Sequence, residues 1–214
     1  MKKLTKFNIA KLMNRNNFQT IILLSVVCLA PVFAHAQSSE LKIPLEAQEF
    51  IVKGDHAVAL EAADLNGDGT QDFILVTEKT TAKTNDEEAD SLRTLMILTR
   101  NADGKLTLAE SNNQVVYCKS CGGAFGDPFA SIEVKRNSFT VNNYGGSAWR
   151  WSKSYQFNYS RRDKTWQLVR ADSQSYNSTE PNKVKTTIRT AKNFGKIDIA
   201  DFDLEILNKP GRKK

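Results

Sequence analysis

The feature that most constrains the fold is an alternation of aromatic and polar residues in WRWSKSYQFNY, residues 149–159. The aromatic residues all have odd numbers: Trp149, Trp151, Tyr155, Phe157 and Tyr159. A period of two is that of a β-strand, whose successive side chains point to opposite faces. The segment is therefore predicted to be a strand with one aromatic face, in which Lys153 interrupts the stripe and marks a bulge or a sheet edge.

Shorter patterns predict further strands on both sides of this one. The runs Asp72–Val76 (DFILV) and Thr94–Leu98 (TLMIL) are apolar and too short for typical helices, which favours central strands buried on both faces. Alternation in residues 105–110 and in residues 132–141 predicts hairpins, and Trp166–Val169 is predicted to pair back onto the aromatic strand.

The predicted fold class is mainly β (a β-rich α+β fold), an antiparallel sheet or sandwich with one short N-terminal helix at Pro44–Ile51. Residues 173–185 are rich in Ser, Asn and Thr and are expected to form a loop, whereas residues 197–207 fit either a bulged strand or a short helix. The end, Gly211–Lys214, is expected to be flexible. No repeat of 20 to 50 residues is present, so a full propeller is not expected.

The positive charge of the chain is concentrated at its beginning. The formal net charge is +6, but residues 1–36 contain five cations and no acid. Removing those five from 30 basic residues leaves 25, against 24 acidic residues. The remainder is nearly neutral, which removes the compositional argument for binding nucleic acid.

The same N-terminal segment has the pattern of a cleavable secretory signal peptide, residues 1–36. The apolar run Thr20–Phe33 follows the cations, and Ala34-His35-Ala36 provides a cleavage site before Gln37. The alternatives are a membrane anchor, for which the run is short, and lipidation at Cys28, which Val27 disfavours. We expect a periplasmic or secreted protein with a single domain over residues 37–214 and no membrane span after cleavage.

The most specific motif is the sequence Asp64-Leu65-Asn66-Gly67-Asp68-Gly69-Thr70-Gln71-Asp72. Oxygen ligands at the first, third, fifth, seventh and ninth positions can surround Ca²⁺: the side chains of Asp64, Asn66, Asp68 and Asp72 and the carbonyl of Thr70. An EF-hand is excluded because its bidentate Glu is replaced by Leu75. The alternative is a polar turn with solvated carboxylates.

This loop resembles the calcium loops of FG-GAP and VCBS-type repeats, in which the same motif leads into an apolar strand. The resemblance covers about residues 59–77. A longer resemblance, to uncharacterised exported bacterial proteins, is carried by the loop together with CxxCGGxxGDPF (Cys118–Phe129) and YGGSxWRW (Tyr144–Trp151). That resemblance covers most of the mature chain and implies export, but no activity.

Cys118 and Cys121 are the two cysteines left after signal cleavage, and an oxidising compartment predicts a disulfide between them. A catalytic dithiol would need a helix N-terminus, whereas Gly122-Gly123 follow instead. A zinc site would need four ligands, and His56 is the single histidine of the mature chain.

A candidate ligand surface is formed by Tyr144, Trp149, Arg150 and Trp151. Exposed aromatic rings there would stack on sugar rings of wall polymers, with Arg150 as a hydrogen-bond donor. The alternative is that the aromatic stripe forms the core, because each ring buries 150 to 250 Å².

These observations favour a non-enzymatic, calcium-binding module whose partner is an envelope protein or a wall polymer. One alternative is a periplasmic inhibitor or immunity protein acting against a cell-wall-degrading enzyme. Another is a small envelope hydrolase using carboxylates such as Asp127, Glu133 or those within residues 198–205. The mature chain has one histidine and no recognisable hydrolase motif, which disfavours the enzyme.

Overall fold

The computed structural model describes residues 41–79 and 92–208, which belong to one compact unit. The predicted signal peptide, residues 1–36, and the predicted tail, residues 211–214, lie outside the described residues. Among the helices that are described, none has both the length and the apolar content needed to cross a membrane.

The first half of the described chain forms a four-stranded antiparallel sheet, here called the N-terminal sheet. Its strands follow chain order: β1 Asp55–Ala63, β2 Asp72–Lys79, β3 Arg93–Arg100 and β4 Leu106–Asn112. β2 and β3 occupy the centre, as their apolar runs predict. Alternate residues of β2 pack against opposite sides: Ile74 lies in the core between the two sheets, whereas Leu75 packs with Ala47 of helix α1, Leu45–Gln48.

The second half forms a five-stranded antiparallel sheet, here called the C-terminal sheet. Its strands also follow chain order: β5 Phe129–Lys135, β6 Ser138–Gly146, β7 Trp149–Ser160, β8 Thr165–Asn177 and β9 Lys185–Thr190. Tyr155 and Phe157 of the aromatic stripe are buried in the core. The two sheets pack face to face, which confirms the predicted β-rich sandwich.

Lys153 marks neither a bulge nor an edge, so that prediction was wrong. β7 lies between β6 and β8, and Lys153 pairs in unbroken register with Asn143 and Ser173. The bulge in the β7–β8 ladder falls at Gln156 and Phe157 instead. Lys153 keeps its place in the stripe because its ammonium group lies near aromatic rings, 5.3 Å from the ring centroid of Tyr117.

The C-terminal third contains more regular structure than the polar composition predicts. The prediction of a loop over residues 173–185 was wrong at both ends of that range. β8 continues to Asn177, and β9 begins at Lys185. After β9 comes α2, Ala191–Phe194. Residues 197–207 begin with one β-bridge, from Asp198 to Gln167, and then form a 3₁₀ turn and helix α3, Leu204–Asn208.

Candidate functional site

The predicted calcium loop is the turn that connects β1 to β2. Its backbone is folded by its own side chains, since the carboxylate of Asp64 accepts hydrogen bonds from the N–H groups of Gly67 (2.7 Å) and Gly69 (3.1 Å). The Asp68 carboxylate accepts from the N–H of Thr70 at 2.8 Å and from its hydroxyl at 2.5 Å. These bonds from Thr70 lower the pKa of Asp68. Gly67 has a φ of 80°, which other residues adopt at a cost.

The loop also fastens the two sheets together. The carbonyl of Asp64 accepts from the N–H of Asn137 in the β5–β6 turn (2.9 Å), and the carbonyl of Leu65 accepts from the indole N–H of Trp166 in β8 (2.9 Å). Arg136 places its Nε 3.1 Å from the Asp64 carboxylate. The side chain of Leu65 is fully buried in the core. A change in loop conformation therefore acts directly on the packing of the sandwich.

Asp72 lies at the base of the loop and is completely buried. Its carboxylate accepts from the N–H groups of Leu65 (2.9 Å) and Arg100 (3.0 Å). Burial raises the pKa of Asp72, and these backbone hydrogen bonds oppose that rise. Asp72 thus holds the loop against β3.

The loop carries three carboxylates, those of Asp64, Asp68 and Asp72. Within residues 41–79 and 92–208, no group of three or more His, Cys, Asp or Glu side chains is arranged to hold a metal ion. Asn66 donates its amide N–H to Asp68 at 2.8 Å, and its own oxygen accepts from the Asp68 N–H. Counting lone pairs, Asp64, Asn66, Asp68 and Asp72 each retain an oxygen position not used by these hydrogen bonds. The donor chemistry fits Ca²⁺.

Cys118 and Cys121 form a disulfide, as predicted. Because both sulfurs are in that bond, the thiolate ligands of a zinc site are missing at these two positions. A 3₁₀ turn of three residues, Gly123–Phe125, follows in place of an α-helix. The helix N-terminus that stabilises a catalytic thiolate is therefore absent beside this disulfide.

The structure brings the two glycine-rich motifs into contact. The N–H of Gly146 donates to the carbonyl of Gly122 at 2.8 Å. A Cβ atom at Gly145 would lie 2.6 Å from the Trp151 ring and 2.9 Å from that same carbonyl. Glycine is required at position 145 because the backbone of one motif lies directly on the other.

This contact creates an exposed surface on the outer face of the C-terminal sheet, here called the Phe125 surface. It consists of Phe125, Tyr144, Arg150 and Tyr176. The guanidinium carbon of Arg150 lies 3.7 Å from the Phe125 ring centroid, the Phe125 and Tyr144 rings meet edge to face at 5.7 Å, and the two tyrosine hydroxyls are 3.4 Å apart. The aromatic rings at its edge remain accessible to solvent.

The Phe125 surface overlaps only partly with the ligand surface expected from sequence. Tyr144 and Arg150 lie together on it, whereas Trp149, which is 63% exposed, alternates with Arg150 along β7 and so belongs to the other face. Trp151 points to the opposite face and packs on Tyr117 with ring centroids 5.4 Å apart. Phe125 and Tyr176 were missed. The one available signal for Phe125 was its position between the glycines of the GGxxG segment.

Asp127, one of the carboxylates considered for catalysis, belongs to an ion cluster centred on the buried side chain of Arg93. Arg93 donates from Nη1 and Nη2 to the two oxygens of Asp127 (2.6 and 2.5 Å) and from Nε to Glu78 (2.6 Å). Burial acts to raise the pKa of Asp127, but the hydrogen bonds from Arg93 and the Phe129 N–H outweigh it and the pKa is lowered. A carboxylate held ionised in this way is a poor general acid or base. The cluster instead ties the GDPF segment to the N-terminal sheet.

These features define the class of the protein: a two-sheet antiparallel β-sandwich with an acidic β1–β2 loop and a disulfide-closed glycine-rich segment. No protein-family model and no curated protein sequence matches the chain. Among solved structures, the chain is similar to a Xanthomonas protein described as related to a type IV secretion system, with 13% sequence identity and a TM-score of 0.35. The match covers 65% of this chain and 57% of that protein's length.

Proposed function

We propose that this protein is an exported, calcium-binding β-sandwich that recognises a polysaccharide of the cell envelope through the Phe125 surface. Export is supported by the sequence of residues 1–36 and by the disulfide, which is typical of proteins in oxidising compartments. The observation that carries the proposal is the exposure of Phe125 (47%) and Tyr144 (36%) around one arginine.

Exposed aromatic residues that are grouped and held rigidly are typical of interaction sites. The apolar faces of sugar rings pack on such aromatic rings, and the hydroxyl groups of the sugar accept hydrogen bonds from a guanidinium. Nε and Nη1 of Arg150 are buried without a hydrogen-bond partner in the described part of the chain, so a sugar hydroxyl would have to enter beside the Phe125 ring to accept from them. The Arg150 guanidinium stacks on the Phe125 ring, which keeps the guanidinium and the ring in one relative orientation. This arrangement favours a ligand with ring faces and hydroxyl edges.

In this proposal Ca²⁺ has a structural role. It would be held by Asp64, Asn66, Asp68, the Thr70 carbonyl and Asp72, and its charge would offset the mutual repulsion of the three carboxylates. The loop carries the contacts to Asn137 and Trp166 of the C-terminal sheet. Binding at the loop would therefore stabilise the packing of the sheet that presents the Phe125 surface.

Polysaccharide binding is tested by co-sedimentation of the mature protein with purified peptidoglycan and with an unrelated insoluble glucan. We expect Phe125→Ala and Tyr144→Ala each to weaken binding at least about tenfold, the effect of losing a central contact. Leu108→Ala is the matched control, because Leu108 is 49% exposed on the other sheet. Unchanged binding in both aromatic variants, or binding to a wall-degrading enzyme without binding to polymer, would contradict the proposal.

Calcium binding is tested by calorimetric titration and thermal unfolding of the mature protein after EDTA treatment. Extracellular calcium modules bind with Kd of about 10⁻⁴ to 10⁻³ M, so millimolar Ca²⁺ should raise the Tm more than Mg²⁺ does. A hundredfold excess over Kd stabilises by about 2.7 kcal/mol. Asp68→Ala should abolish the effect, and Asp103→Ala, in an exposed turn, should preserve it. No heat and no Tm shift at about 10 mM Ca²⁺ would reduce the loop to a polar turn.

A further inference from the structure

The C-terminal sheet has a cavity on its inner face, on the side opposite the Phe125 surface. The cavity has a volume of about 230 Å³ and lies between strands β7–β9 and the last helix, α3. Lys153 and Tyr155 of β7 and Arg189 of β9 line the sheet side, and Leu204 and Leu207 of α3 line the other. The space equals roughly seven or eight water molecules at about 30 Å³ each.

Strand register places the polar groups of this cavity on one face. Tyr155 pairs with Ala171, which pairs with Arg189, and Lys153 pairs with Ser173, two residues further along the same strands. Lys153 and Arg189 are thus two strands and two residues apart, about 12 Å between Cα atoms from the usual strand spacings. Two long cationic side chains at that separation leave room for one small anion between them.

The cavity carries positive charge that its own residues do not neutralise. The one acidic residue at its edge, Asp172, accepts from Nε of Arg170 at 2.8 Å and is paired there. Lys153 donates to the hydroxyl of Tyr117 at 2.8 Å, which leaves its other N–H groups available. The side chain of Arg189 has no hydrogen bond or ion pair with any residue in ranges 41–79 and 92–208.

The remaining polar group favours an anion as well. Tyr155 is buried and its hydroxyl lies 3.3 Å from that of Tyr117, at one end of a chain that continues to Lys153. Burial raises the pKa of Tyr155, so its hydroxyl stays protonated and can donate a hydrogen bond. On the α3 side, Leu204 and Leu207 offer apolar surface, against which an apolar part of a ligand would pack.

We infer that this cavity binds a small organic acid, with its carboxylate between Lys153 and Arg189 and its apolar part against Leu204 and Leu207. The inference is independent of the proposed polysaccharide binding, since the cavity and the Phe125 surface lie on opposite faces of the sheet. The ligand is expected to be negatively charged. Among the described side chains, two cations without a carboxylate partner face this space, and no unpaired carboxylate does.

The experiment uses phenylacetate, a carboxylate with a compact apolar ring, and its neutral isostere phenylacetamide as the matched probe. Each is titrated into the isotopically labelled mature protein at constant ionic strength, and amide shifts in β7–β9 are followed by NMR. We expect phenylacetate to bind and phenylacetamide to bind about tenfold or more weakly, because hydrogen bonds to charged groups contribute at least that factor. Inorganic phosphate, which lacks an apolar part, should also bind more weakly than phenylacetate.

Variants locate the site. Arg189→Gln and Lys153→Gln should each weaken phenylacetate binding about tenfold, whereas Arg162→Gln, which removes the same charge at the exposed β7–β8 turn, should leave it unchanged. Equal affinity for phenylacetate and phenylacetamide in the unaltered protein would overturn the inference without any variant having to fold. Equal weakening by Arg162→Gln would also overturn it, because binding would then follow net charge alone. If phosphate bound as tightly as phenylacetate, Leu204 and Leu207 would not contribute to binding, and the inferred contact with an apolar part of the ligand would be wrong.

Discussion

Replacing Arg93 by methionine should destabilise the fold by about 3 kcal/mol. The side chain of Arg93 is 2% exposed, and that of its partner Glu78 is 7% exposed. Removing one member of a buried ion pair costs 3 to 5 kcal/mol, because the other charge remains buried. Within the described part of the chain, His56, with Nε2 3.7 Å from Glu78, would stay close to that carboxylate. Asp127 is 38% exposed and can turn toward water, so the lower end of the range applies.

The assay is urea unfolding of the mature protein, followed by tryptophan fluorescence. With a slope of about 2 kcal/mol per molar urea, the Arg93→Met midpoint should fall by about 1.5 M. Arg170→Met is the matched control, because Arg170 pairs with Asp172 but is 47% exposed. That change should cost less than about 1 kcal/mol. Adding Glu78→Gln to Arg93→Met should restore part of the loss. Equal midpoints for Arg93→Met and Arg170→Met would refute the reasoning.

The stability that Arg93 contributes through Asp127 should decrease in acid. The pKa of Asp127 is lowered below its ordinary value of 3.8 by Arg93, so this contribution to stability is fully present above pH 3.8. It is lost as the pH falls through the lowered pKa. The stability difference between the natural protein and Arg93→Met should therefore narrow below pH about 4, where Asp127 becomes protonated. A difference that widens in acid would contradict this assignment.

Three further predictions follow from single positions. Phe157→Ala should cost 3 to 5 kcal/mol in urea unfolding, because Phe157 is completely buried; a cost under about 1 kcal/mol would place it outside the core. Gly67→Ala should destabilise by at least about 1 kcal/mol, since its φ is 80° and the new Cβ would collide with the Asn137 side chain. Adding Asn137→Gly should restore the part of the stability lost to the collision, but not the part lost to the positive φ at residue 67. The pKa of Asp163, lowered to about 2 by hydrogen bonds from Lys196, Ser160 and Gln167, should rise toward 3.8 in Lys196→Gln when followed by carboxyl-carbon NMR; an unchanged value would show that Lys196 does not contribute.

The strands that were predicted correctly are those in which the order of apolar and polar residues matches the faces that the fold buries. The DFILV run of β2 and the TLMIL run of β3 are apolar on both faces because the core lies on one side and helix α1 on the other. The aromatic alternation of β7 is correct for the complementary reason. One face of that strand packs in the core, and the other carries polar residues.

β1 was missed because its sequence, DHAVALEAA, has a composition that favours helix. It is a strand because it pairs along its length with the edge of β2, from Asp55 opposite Lys79 to Ala63 opposite Asp72. Such pairing with a neighbour overrides local propensity. β9 was missed for a related reason, since most of its residues are exposed and its sequence is polar.

The loop predicted from its spacing to bind calcium is the turn between β1 and β2, and calcium binding there remains a prediction. Its role in fastening the sheets was not predictable, because the partner of Leu65 is Trp166, 101 residues later. The same limit applies to Arg93 and Asp127, which are 34 residues apart. A single arginine at the start of an apolar strand carries no sign that its charge will be buried and paired.

In both sheets every strand is hydrogen-bonded only to strands adjacent in the chain. The pairing steps are therefore local hairpin closures, which are the fastest kind for β-structure. During synthesis from the N-terminus, residues 55–112 contain all four strands of the first sheet before the second exists. Its apolar inner face includes Ile74, Leu95 and Ile97. That face stays exposed to solvent until residues 129–190 have been synthesised and the second sheet packs on it. Slow elongation through that interval would favour aggregation of the nascent chain over docking.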